Sequence, residues 1–159
     1  MNKREIRKTG GRNNRGRITV RHRGGGQKRL ERVLEYQQGG HKIEMTGVIQ
    51  RVEYDPNRTA YIAECEGYER KIYKIIGGEE GVMEPQIGKE IKVVRLKDVG
   101  VGELVYKVSL RGGERGKIAR AAGAGCKVIK QGDKETVVRL PSGEVVELRG
   151  ENTCYQGIV

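Results

Sequence analysis

The chain has 159 residues, room for one ordinary domain or two small ones with modest cores, and its net charge of +11 is concentrated at one end. Residues 1 to 32 hold twelve Lys/Arg against Glu5 and Glu31, a balance of +10, whereas the remaining 127 residues hold twenty basic and nineteen acidic side chains, a balance of +1. No run approaches the roughly 18 apolar residues of a membrane-spanning helix and no secretory signal is expected; the cationic head calls for a polyanion. Nucleic acid is favoured over a membrane surface, because only Ile6, Ile18, Val20 and Leu30 could supply an apolar face.

The head comes first in the chain. Within it GGRNNRGRITVRHRGGGQKR, residues 10 to 29, holds seven Arg/Lys, no acid and a triple glycine. Nine of the head's twelve cations are arginine, whose planar guanidinium binds phosphate through two parallel hydrogen bonds and also stacks on a base. Asn13 and Asn14 can turn the chain and donate amides, while Gly10, Gly11, Gly16 and Gly24 to Gly26 let backbone and ligand approach closely. The protein has no Trp, no Phe and no Tyr before residue 36, so contacts to phosphate and RNA shape are expected over base stacking. His22, between two arginines, is expected to hydrogen-bond RNA or backbone. A disordered solubilising tail is one competing reading, but ITV inserts a β-like triplet between two glycine-rich cationic clusters, which such a tail does not need. An organelle transit peptide is another, disfavoured because the patterned motif begins already at residue 10.

From Leu30 onward, short runs rich in β-branched residues and tyrosine alternate with glycine turns, the rhythm of strands. LERVLEY (30–36) is followed by KIEMTGVIQRVEY (42–54), with a bulge expected at Gly47. DPNR (55–58) places Pro56 at the second position of a tight turn. TAYIAEC (59–65) and YERKIYKII (68–76) complete a set that suggests a small closed barrel of the oligonucleotide-binding (OB) type, although periodicity does not prove closure. His41 lies in a turn without a partner at metal-ligand spacing, so no metal or catalytic role is expected of it. MEPQIGKE (83–90) reads as a connection, and the domain boundary is expected near residues 88 to 93. A second strand series follows in IKVVRLKDV (91–99), ELVYKVSL (103–110), CKVIKQGDKETVVRLPSGEVVELRG (126–150) and TCYQGIV (153–159), with hairpin turns at Gln131-Gly132-Asp133 and Pro141-Ser142-Gly143. Only RGKIARAAG (115–123) has room for a helical turn, and its glycines limit it to a short one. The organisation is thus a basic extension over 1–29, an OB barrel over 30–90 and a second small barrel over 91–159.

Nothing here reads as an enzyme. RGGERGKI (111–118) has Gly-Lys at 116–117 but lacks both the leading glycine of a P-loop and its Ser/Thr, Ile118 standing there instead. GAGCKV (123–128) starts as G-x-G but ends in valine, outside any βαβ pattern. Cys65, Cys126 and Cys154 are far apart and show no C-x-x-C spacing, as expected for reduced structural thiols in a reducing compartment. No catalytic residue and no metal ligand are expected.

GGRNNRGRITVRHRGGGQKR, VEYDPNRTAYIA (52–63), GKIARAAG (116–123) and LPSGE (140–144) together resemble one family, the universal large-subunit ribosomal protein two, over residues 10 to about 157. The resemblance implies an all-β protein, an OB-fold followed by an SH3-like barrel. It also implies a structural constituent of the large ribosomal subunit that binds its rRNA, sits among other large-subunit proteins away from any membrane, aids assembly, and supports the peptidyl-transferase region and tRNA sites. No intrinsic cofactor is implied; structural magnesium would belong to the surrounding rRNA. Carried across position by position, the RNA-contact candidates are Arg12, Asn13, Asn14, Arg15, Arg17, Arg21, His22, Arg23, Gly24, Gly25, Gly26, Lys28 and Arg29, with Lys117, Arg120 and Ser142 in the second barrel. Gln27 departs from the histidine usual in the family. Family members also continue into a glycine-rich basic extension, so the chain is expected to be one piece of a split protein in a mitochondrial ribosome, its extension on a separate chain; a plastid or bacterial setting and a truncated form are the alternatives. The competing functional class is a free tRNA- or rRNA-binding OB-module translation factor, which high salt would wash off the ribosome.

Overall fold

The computed structural model describes residues 3–34, 47–66, 71–75, 77, 87, 88, 90, 91, 93–112, 114–132 and 134–159. The expectations placed on His41 and on the strand residues between 35 and 46 lie outside them. The described chain is built of strands. A two-stranded ribbon pairs β1 (Lys3–Glu5) with β2 (Leu30–Arg32), so the first run of the body is bonded to the start of the head. A four-stranded sheet contains β3 (Gly47–Glu53), β4 (Ile62–Glu66), β5 (Lys71–Ile75) and β6 (Glu90–Ile91) in the order β5-β4-β3-β6. A six-stranded sheet holds β7 (Val94–Arg95), β8 (Leu104–Tyr106), β9 (Cys126–Gln131), β10 (Glu135–Arg139), β11 (Val145–Arg149) and β12 (Thr153–Gln156) in the order β11-β10-β9-β8-β12-β7. Every described pairing is antiparallel, as expected of strands linked by short turns.

Three local expectations are corrected. The bulge of β3 is at Gln50, where the register moves from Ile49↔Cys65 to Arg51↔Glu64, while Gly47 pairs regularly with Ile91. Ile49, just before the bulge, is buried. IKVVRLKDV is not one strand: after β7 the chain makes a 3-10 turn over Leu96–Asp98. Leu96 and Val99 are both buried, and residues three apart share a side in a 3-10 turn but take opposite sides in a strand. RGKIARAAG contains no helix. Its backbone pairs across the fold, with Lys107 N–H donating to Ala119 O at 2.9 Å, Lys117 N–H to Val108 O at 2.9 Å and Val108 N–H to Ile118 O at 3.1 Å. Those bonds use the groups a helix would need, and Ala119 sits at φ 51. Both second-half hairpin turns are found where the glycines place them, with Gly143 at φ 91.

One apolar cluster runs through both larger sheets. Ile49, Ala63, Cys65 and Ile91 from the first half pack in it with Leu96, Val105, Val108, Val128, Val138 and Cys154 from the second. Tyr106 and Tyr155 stack within it at 5.4 Å between ring centroids, and the Tyr106 hydroxyl meets the Gly77 backbone. Each fully buried Val, Leu or Ile stabilises the fold by about 1.5–3 kcal/mol. Leu34, Ala60 and Ile62 form a smaller cluster, and Val159 packs against both.

Candidate nucleic-acid interface

The head is an arm closed at its base. In the ribbon, Lys3 faces Arg32 and Arg4 faces Glu31. Arg4 Nε reaches Glu31 Oε2 at 2.5 Å, Lys28 Nζ lies 2.8 Å from Glu5 Oε1, and Lys8 Nζ donates to the Gln27 carbonyl at 2.6 Å. The Gln27 contact uses backbone, so the departure from the family's histidine leaves it intact. The ribbon is tied to β3 through Glu53, whose side chain is 9% exposed and gathers Arg51, Lys3 at 3.3 Å and Arg32 at 3.9 Å. Burial pushes the Glu53 carboxyl up, but hydrogen bonds and charge from Arg51 and Lys3 outweigh it and hold it below the ordinary value.

Beyond this base, residues 6 to 30 contain no Asp or Glu. The tip is shaped by its own backbone. Asn13 Oδ1 accepts the N–H groups of Arg15 and Arg17, each at 3.0 Å, so this side chain organises the loop through its oxygen. Gly11 O accepts the N–H groups of Thr19 at 2.9 Å and Val20 at 3.1 Å. Gly11 has φ 77, and a Cβ there would collide with the Val20 carbonyl, which explains the glycine from the fold alone. Gly24 and Gly25 differ: their φ values are not in the left-handed region and a Cβ on either would meet nothing within 4 Å. The fold leaves these two positions open. Arg12, Arg15, Arg17, Arg21 and Arg23 are all exposed, and none makes an ion pair among the described residues. Asn14 and His22 are exposed beside them, His22 in a turn at φ 58.

The arm docks on the DPNR turn. Arg29 Nη1 donates to Pro56 O at 2.6 Å and Asn57 Nδ2 donates to Leu30 O at 2.9 Å. The turn is rigid because Asp55, fully buried, accepts from Asn57 N–H at 3.0 Å and from Arg58 Nε at 2.6 Å. Burial raises the Asp55 carboxyl, while the Asn57 bonds and the Arg58 guanidinium lower it by more, leaving it ionised below its ordinary range. On the far side of the turn, Thr59 Oγ1 accepts Ala122 N–H at 3.2 Å, which seats the loop carrying Lys117 and Arg120 against the same hairpin. Arm, first-half turn and second-half loop are thus contiguous.

Not every candidate joins this surface equally. Arg120 is exposed on the seated loop. Lys117 is held at 2.8 Å by Glu114, whose carboxyl is lowered mainly by that hydrogen bond. Lys28 is engaged by Glu5, though both ends are more than half exposed and such a pair yields readily to a stronger anion. Ser142 lies in the β10–β11 turn, where its Oγ accepts the Glu144 N–H at 3.4 Å, a local turn contact. Sequence reasoning missed Glu53, Asp55, Asn57 and Arg58 as the fastening of the arm. The signal was in DPNR, an acid that caps a turn and a base three residues on that neutralises it. It also missed the exposed Tyr54 and Tyr61.

Among the described residues no cluster of three His, Cys, Asp or Glu could hold a metal ion, no helix is long and apolar enough to cross a membrane, and the three cysteines are free and buried. Residues 3–92 match the family model described as Ribosomal Proteins L2, RNA binding N-terminal domain, and residues 89–159 match the one described as Ribosomal Proteins L2, C-terminal domain. The two halves are accordingly the OB and SH3-like folds of those domains, carried by the four-stranded and six-stranded sheets respectively. The chain belongs to the ribosomal protein L2 family: it is an RNA-binding protein of the large ribosomal subunit.

Proposed function

We propose that this protein is a structural scaffold for large-subunit rRNA, helping the subunit assemble and supporting its peptidyl-transferase region without contributing a catalytic side chain or an intrinsic cofactor. The carrying observation is an acid-free, arginine-bearing loop fastened at its base to a folded body. Exposed guanidiniums without protein counter-ions repel one another, and phosphates of converging RNA helices relieve that repulsion. Fastening means less of the binding energy is lost in ordering the arm. Arg12, Arg15, Arg17, Arg21 and Arg23 supply phosphate contacts, Gly24 and Gly25 admit close approach, and the loop carrying Arg120 widens the footprint. Binding of the full chain to large-subunit rRNA, measured across salt concentrations, tests this. Each arginine replaced by alanine should flatten the log–log slope by about 0.7–0.9 if it neutralises one phosphate; an affinity indifferent to all five substitutions would refute the scaffold. Residence in a mitochondrial ribosome is the finer part of this reading. Identifying the proteins of purified mitochondrial large subunits after a high-salt wash checks it, since the reading requires this chain to stay bound.

A further inference from the structure

Two exposed tyrosines flank the DPNR turn. The β3–β4 register pairs Val52 with Ala63 and Glu53 with Ile62, and one further antiparallel step sets Tyr54 opposite Tyr61. Their rings meet edge to face, 6.5 Å between centroids and 69° between planes. They remain 66% and 60% exposed, whereas Tyr106 and Tyr155 are 2% and 4% exposed in the core. The fold buries its aromatic pair where packing needs one and leaves this second pair facing outward.

The surroundings identify what the rings await. Between them the only acid is Asp55, which is buried and engaged by Arg58. Arg29 is held on the same turn by a single bond from Nη1 to Pro56 O, and a guanidinium has five N–H groups. The Arg120 loop is seated against Thr59. A nucleotide offers an anionic phosphate and a flat base in one unit, matching cations beside an aromatic face. A side chain of a neighbouring protein would need an acid for the former and would gain no geometric advantage from the latter. We propose that Tyr54 and Tyr61 form a platform on which one unpaired rRNA nucleobase stacks while its phosphate is held by Arg29, docked on the adjoining turn, and Arg120, on the loop seated against it. This rests on the scaffold reading and adds a base contact to it. The platform is preformed, because Asp55 locks the turn that spaces the rings.

Two RNA duplexes, identical except that one carries a single bulged 2-aminopurine, provide the probe, used with the full chain. The expected result is roughly tenfold or tighter binding of the bulged RNA, with 2-aminopurine fluorescence quenched on binding. Tyr54→Ala and Tyr61→Ala should abolish that preference while leaving affinity for the plain duplex unchanged, and Tyr54→Phe with Tyr61→Phe should retain it. Thermal melts establish that the variants fold, and photocrosslinking of a bulged 5-iodouridine to wild-type protein, mapped to Tyr54 or Tyr61, gives a readout independent of them. Equal affinity of wild type for both RNAs, a preference that survives both alanines, or crosslinks confined to the arm would overturn the platform but spare the scaffold. Failure of wild type to bind either RNA would overturn both.

Discussion

Asp55 and Glu53 fasten the arm as charged groups, so the anchorage depends on pH with a definite sign. Both carboxyls sit below their ordinary values in the folded protein, because bonds and charge from neighbouring cations exceed the opposing effect of burial. Their contribution is therefore complete above the unfolded carboxyl range near pH 4 and disappears as pH falls through the lower folded values. Asp55→Asn should cost about 1–3 kcal/mol at neutral pH by urea denaturation. The gap between variant and wild type should narrow toward about pH 3, and a gap that holds constant would show that Asp55 acts through shape alone. At the arm's tip, the glycines divide by cause. Gly11→Ala should destabilise the arm by about 1–2 kcal/mol or more, since it meets both a left-handed φ and the Val20 carbonyl. Gly24→Ala and Gly25→Ala should leave the melting temperature unchanged and weaken rRNA binding, which calorimetry beside a binding titration separates.

Among elements, the ribbon and the DPNR turn decide whether the arm is presented or loose. Two hydrogen bonds, from Arg29 to Pro56 and from Asn57 to Leu30, join them. At about 1 kcal/mol each, their joint loss in Arg29→Ala with Asn57→Ala should speed trypsin cleavage within residues 10–29 by roughly thirtyfold. A cleavage rate equal to wild type would mean that the Glu53 ion pairs suffice. The strands themselves were legible from alternation and β-branched content, and the hairpin turns from Pro and Gly. The 3-10 turn at Leu96 was not, because Leu96 and Val99 in a run of β-formers look like strand until their common burial is known. Residues 115–123 have the small side chains of a helix, yet cross-chain bonds to Lys107 and Val108 prevailed over that local preference.

For the whole molecule, the shared core makes the two halves interdependent. Because Ile49, Cys65 and Ile91 pack in the same cluster as Val105 and Val138, calorimetry should show one unfolding transition. Leu96→Ala, which opens a cavity at a fully buried site, should lower stability by about 2–5 kcal/mol without splitting the transition. Burial pushes the Cys126 thiol up to about 11 and, with Cys126 and Asp98 nearby, the Cys154 thiol up to about 12. These thiols should resist Ellman's reagent at about pH 8 until the protein unfolds; rapid reaction of the native protein would contradict the continuous core.

The amino-acid sequence alone determined the all-β character, the segregation of charge and the arginine-glycine chemistry of the arm, because periodicity, composition and turn residues act over a few neighbours. Only the tertiary structure decided which glycines the fold itself requires, which carboxylates fasten the arm, and that Tyr54 and Tyr61 face outward while Tyr106 and Tyr155 turn inward. The fastening of the arm depends on partners far apart in the chain, such as Leu30 for Asn57, Glu53 for Lys3 and Ala122 for Thr59, separated by 27, 50 and 63 residues. No local pattern encodes a distance of that kind until the sheets bring the partners together.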